Sequence, residues 1–208
     1  MTNFTRRMTF GLAAASLMIA SSAALAQAPA GTPVMVRGTI EKLDGATLVI
    51  KTREGTEASV KLADPYGVRG VIKIPLSDVK PGSRVGITSM PQADGGTPKA
   101  LEVHIFPEDV RPPEIQTPYD LAPKSTMTNA TVNQTVAGND GHTLTVKYKD
   151  GEMKVQVSPD TPIATYVPGT KDELKAGAKV VVRAMKAPDG TLSSNSVSVG
   201  RDGFTPPM

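Results

Sequence analysis

The feature that most limits what this chain can fold into is an internal duplication. The stretch "LSDVKPGSRVGI" at Leu76–Ile87 returns as "KDELKAGAKVVV" at Lys171–Val182. The match extends in both directions and keeps its order. "GATLVIK" (Gly45–Lys51) pairs with "GHTLTVK" (Gly141–Lys147), "EASVKL" (Glu57–Leu62) with "EMKVQV" (Glu152–Val157), and "LEVHI" (Leu101–Ile105) with the end of "SNSVSV" (Ser194–Val199). Because the offset drifts only between 94 and 96 residues, whole segments are repeated rather than isolated turn phrases.

Within each copy the apolar residues alternate. Val34, Val36 and Ile40 share one parity, as do Leu48 and Ile50, Val60 and Leu62, Val85 and Ile87, and Leu101, Val103 and Ile105. Arg37, Lys61, Arg84, Glu102 and His104 fall between them, which is the period of strands with one buried and one wet face. "REG" (Arg53–Gly55) and "KDG" (Lys149–Gly151) supply hairpin turns. Each copy therefore reads as five short strands with a longer connection between the third and fourth. Thr170 and Glu173 have capping-box spacing and Gly177 follows, so "TKDELKAG" predicts one helical turn there. In the first copy Pro81 ends the equivalent turn. The expected fold class is all-β: two tandem, small, five-stranded OB-like barrels (the oligonucleotide/oligosaccharide-binding type), each with a short helical turn between strands 3 and 4. A small sandwich is the alternative.

The expected division is a signal peptide at 1–26, a first barrel at 34–106, a linker at 107–127, a second barrel at 128–200 and a flexible tail at 201–208. The signal rests on Arg6 and Arg7, the uncharged run behind them and "ALA" at Ala24–Ala26, with cleavage after Ala26. "TRRMTF" also resembles a twin-arginine export signal with its aromatic one place late. The linker is expected to be extended because Pro107, Pro112, Pro113, Pro118 and Pro123 crowd it. The expected product is a periplasmic or secreted protein with no stable membrane insertion after cleavage.

The phrases "GHTLTVKYKDGEMKVQV" and "LKAGAKVVV", with "VKPGSRVGI" in the first copy, resemble the repeated exported β-domains of bacteria known only as a domain family of unknown function. The resemblance spans roughly residues 34–106 and 128–199, with Val79 and Ala46 departing from its pattern. It implies fold and compartment and carries no catalytic residue and no cofactor.

Composition excludes several classes. The net charge of +3 falls to +1 once Arg6 and Arg7 leave with the signal, too small for a nucleic-acid partner. The absence of cysteine removes disulfides, thiol catalysis and thiolate metal sites. No tryptophan is present to stack bases or sugars. No nucleophile elbow or phosphate loop occurs, and the acid pairs Glu108-Asp109 and Asp172-Glu173 lie in turns, so no catalytic residue is assigned. His104 and His142 are not equivalent by repeat, and both are expected on solvated strand positions. Met90 and Met185 are equivalent, and with the histidines they form the weak candidate set for copper, the alternative being a small-ligand or metal-binding protein. The leading expectation is a non-enzymatic protein that meets another envelope protein, with Tyr66 and Tyr119 on exposed loops as candidate contacts.

Overall fold

The computed structural model describes residues 31–138 and 141–208. The expected signal and its cleavage site lie outside the described residues. Those described form twelve strands: β1 (Thr32–Asp44), β2 (Thr47–Thr52), β3 (Glu57–Lys73), β4 (Arg84–Met90), β5 (Lys99–Ile105), β6 (Gln116–Pro118), β7 (Thr126–Gly138), β8 (Gly141–Tyr148), β9 (Gly151–Val157), β10 (Ile163–Pro168), β11 (Lys179–Lys186) and β12 (Leu192–Gly200). One-turn 3₁₀ helices at Leu76–Asp78 and Lys171–Glu173 precede β4 and β11. In the second, Glu173 Oε1 accepts the Thr170 N–H at 2.9 Å, as the capping spacing predicts. Gly55 and Gly151 turn their hairpins at φ of 84° and 137°, a region that side chains with a Cβ avoid.

The fold is all-β and contains a closed five-stranded barrel with further strands attached. Hydrogen bonding groups the strands across the copies, which corrects the expected division into 34–106 and 128–200. The barrel runs β1–β2–β3–β12–β11 and closes by β11 on β1, so its first three strands come from the first copy and its last two from the second. β12 runs parallel to β3, and the other neighbours are antiparallel. The remaining strands repeat the arrangement in reverse ownership. β4 and β5 of the first copy join β7, β8 and β9 of the second in the order β5–β4–β7–β8–β9, with β5 meeting β9 at Lys99–Gln156. Each group has its own apolar core of mixed parentage. Leu48, Ile50 and Val60 pack with Val182, Val197 and Val199, while Val85, Ile87 and Val103 pack with Leu144, Val146 and Val155. Fully burying each such side chain stabilises by about 1.5–3 kcal/mol.

The hinge between the groups is a symmetric ladder. β10 pairs antiparallel with the far half of β3, and Val71 faces Tyr166, its own counterpart 95 residues along. On either side Arg69 faces Pro168 and Lys73 faces Ala164, and the same offset turns one pair into the other, Ala164 being the counterpart of Arg69 and Pro168 that of Lys73. A ladder in which residue i meets the counterpart of i is isologous, the contact a twofold axis produces. The bulges agree: β1 skips at Glu41 against β2, and β7 skips at Asn133 against β8.

Two segments expected to be free are laid down on the sheet. The tail turns with Phe204 N–H donating to Arg201 O at 2.8 Å, and the start of the linker makes the same turn, Val110 N–H to Pro107 O at 2.9 Å. Pro112-Pro113 and Pro206-Pro207 follow at matching places, so the linker opens with a copy of the tail. The tail docks Phe204 and Met208 against Val71, Ala164 and Tyr166. The linker puts Glu114 O on Lys149 N–H at 2.8 Å and Ile115 O on Asn129 N–H at 2.9 Å, then adds β6 antiparallel to β7. The linker strap thus accepts through Glu114 O and Ile115 O, and it donates from the Tyr119 N–H to Ser125 O at 2.9 Å. Of the described residues, no helix is long and apolar enough to cross a membrane.

Candidate functional site

The outer face of β5 was expected to be wet, yet Glu102 and His104 on it are 0% and 4% exposed. The reason is the exchange: β10 of the second copy pairs alongside β5, with Ala164 beside His104, and brings Tyr166 against the His104 ring on the same sheet face. Thr88 Oγ1 donates to Glu102 Oε1 at 2.6 Å, and the other carboxylate oxygen lies 3.0 Å from His104 Nδ1. The His104 ring stands edge-on to Phe106 at 4.7 Å and to Tyr166 at 5.7 Å, and Phe106 stacks on Tyr166 at 6.4 Å. Burial raises the Tyr166 phenol well above its ordinary range, and the Glu102 carboxylate adds to the rise.

Arg37 on β1 clamps the rim of this cluster. Its guanidinium makes a two-point bond to Asp120 at 3.1 and 2.6 Å, donates from Nε to the Met208 carbonyl at 2.9 Å, and lies over the Tyr119 ring at 5.3 Å. The hydrogen bond from Arg37 holds the Asp120 carboxyl below its ordinary value. Burial raises the Tyr119 hydroxyl, against the pull of Arg37. One arginine thus ties both straps to the barrel.

A carboxylate on one imidazole nitrogen is an arrangement general-base sites use. Here the opposite edge of the ring rests on the backbone of Gly86, so close that a Cβ at Gly86 would overlap Cε1 and Nε2. The repeat supplies the comparison: the pair Gly86–His104 stands where the other half pairs Val181 with Ser198. The small residue opposite the large one has changed sides. The cluster fills space and satisfies its own polar groups, and among the described residues no buried polar side-chain atom lacks a partner.

The other sequence candidates are dispersed. His142 lies at the start of β8 and lines two adjoining surface grooves, of about 500 and 420 Å³, formed with Leu76 and the turn end of the β7–β8 hairpin. Met90 ends β4 in one strand group, and Met185 is 42% exposed on β11 in the other. Equivalent by repeat, these methionines serve different groups, and among the described residues no set of three or more histidine or acidic side chains could hold a metal ion. Tyr66 is half-buried on β3, packed against the barrel core, with Lys171 Nζ 4.3 Å above its ring. Tyr119 is half-buried beneath Arg37. Neither is an exposed-loop aromatic. Sequence reasoning missed Thr88, Glu102, Arg37, Asp120 and Tyr166, although the Gly/His against Val/Ser exchange is visible once the copies are aligned. Comparison with family models, with curated proteins and with solved structures finds no match.

Proposed function

We propose that the chain is an exported, non-enzymatic binding or scaffold protein that acts through contacts with another envelope protein. Its frame, in this proposal, is a pair of OB-like barrels that have exchanged their last two strands, akin to the duplicated exported β-domains it resembles. The closed barrel supports this: in chain order its strands run 1-2-3-5-4 with the third and fifth parallel, the OB arrangement, and β7–β8–β9–β5–β4 follows the same order. The observation that carries the functional reading is that the side chains capable of chemistry are already occupied. His104 is held by Glu102, Arg37 by Asp120 and Met208, and Tyr166 by the aromatic cluster.

A photo-crosslinking residue at Val136, 46% exposed beside the larger groove, tests the reading in cells. One discrete protein adduct is expected, and none under export conditions would overturn it. Mass analysis of the exported product should give Gln27 as first residue; a retained leader would refute the compartment. The small-ligand or copper alternative has one observation in its favour, His142 shared by both grooves. Unfolding with and without Cu(I) or a metabolite panel tests it, since a ligand at a hundred times its Kd stabilises by about 2.7 kcal/mol.

A further inference from the structure

We propose that the outer edge of β1 at Pro33–Arg37 receives an extended strand of a partner protein, antiparallel to β1, with apolar side chains opposite Val34 and Val36 and an acidic one between them. This rests on the binding-protein reading and names its partner's chemistry. β1 is bonded to β11 from Thr32 to Thr39, but its pairing with β2 begins only at Gly38. Arg37 O accepts the Arg53 N–H, so the main chain of Arg37 faces away from β11, and the strand period turns Met35 and Pro33 the same way. Among the described residues no strand pairs with this stretch.

The other half of the molecule shows what such an edge takes. Matched by register, with Val36 facing Val182 as Thr128 faces Ile87, the counterparts of Pro33, Met35 and Arg37 are Ser125, just before β7, and Met127 and Asn129 of β7. Ser125 O accepts the Tyr119 N–H, Met127 pairs with Thr117, and the Asn129 N–H donates to Ile115 O, so an extended segment is added at all three. In that half the strap through Glu114 runs on into β6. Met208 holds the same place here, 2.9 Å from Arg37 Nε, and the edge beyond it offers Met35 N–H, Met35 O and Pro33 O to a newcomer. Strand addition of this kind takes its affinity from the main chain and its selectivity from alternate side chains.

The side chains set that selectivity. β7 presents Thr126 and Thr128 to β6, and Gln116 Nε2 donates to Thr128 Oγ1 at 2.9 Å. β1 has Val36 in the barrel core and Val34 half-buried against it at those places, with no hydroxyl to receive such a bond. Residues opposite them share their face and must be apolar. The residue opposite Met35 lies on the outer face in a row with the exposed Arg183 of β11, which favours a carboxylate.

The probe is the peptide of residues 114–120 carrying Gln116→Val, Thr117→Glu and Pro118→Val, titrated into the full chain. Saturable binding is expected, weakened at least about tenfold by Met35→Pro, which removes the edge N–H without touching the β11 ladder, and by Arg183→Glu. Amide exchange on the unmodified chain gives a readout that does not depend on the variants folding: the Met35 amide exchanges fast in the free protein and slows at least about tenfold with peptide. No binding, binding unchanged in both variants, or a Met35 amide already protected in the free chain would overturn the proposal, the last because the chain or a second copy then covers the edge. An adduct at Val136 with no peptide binding would leave the binding reading standing and remove only this edge.

Discussion

Gly86 and His104 face each other across β4 and β5, and their counterparts Val181 and Ser198 face each other across β11 and β12. A Cβ at Gly86 meets an imidazole that Glu102 and the aromatic rings hold in place, so Gly86→Ala is expected to cost about 2–3 kcal/mol. In a His104→Ser background the same change should be nearly neutral, and chemical denaturation of the four proteins measures the coupling. His104→Ser alone leaves the buried Glu102 carboxylate with Thr88 as its remaining partner and should cost about 3 kcal/mol. The burial of the barrel valines and leucines was legible from alternation, because one face of a strand must go inward. The burial of Glu102 and His104 was not, because β10 of the other copy pairs beside β5 and brings Tyr166 against the His104 ring, and nothing in the local pattern announces that neighbour.

The straps carry the next set of consequences. Residues 203–208 cover Val71, Ala164 and Tyr166, and removing them should lower stability by about 2–3 kcal/mol while leaving the two larger apolar cores intact, read as a fall in unfolding midpoint with unchanged far-ultraviolet dichroism. The Arg37–Asp120 pair is weaker because the carboxylate is 55% exposed and solvent screens it; Asp120→Asn should cost less than about 1 kcal/mol at neutral pH. Since folding depresses the Asp120 pKa below 3.8, that contribution is complete above the unfolded value and is lost as pH falls through the folded one. The difference between Asp120→Asn and the parent should therefore hold from neutral pH down to the ordinary carboxylate range and be lost as pH falls below it. From sequence the proline-dense linker read as extended and the tail as flexible; that their carbonyls are used as acceptors, and that "RPPE" at Arg111–Glu114 echoes "TPPM" at Thr205–Met208, shows only in the aligned turns.

For the whole molecule, strand periodicity made the all-β class legible but not which strands would close the barrel, since a hairpin closes equally well onto its own half of the chain or the other. The partition is testable on the full chain. A protease site placed after Ala122, within the loop between β6 and β7, should yield two fragments that stay together as one species near the intact mass in native size exclusion and separate only in denaturant. Fragments that part without denaturant would show independent tandem barrels instead. The ladder through Val71 and Tyr166 carries a last consequence. In an assembly of two identical chains, a residue on the axis meets itself, so each enlargement there arrives twice in one place and most are excluded. A single chain has no such double counting: Val71 stands on one side and Tyr166 on the other, and the aromatic cluster around His104 is a lopsided interior that two identical chains could not share.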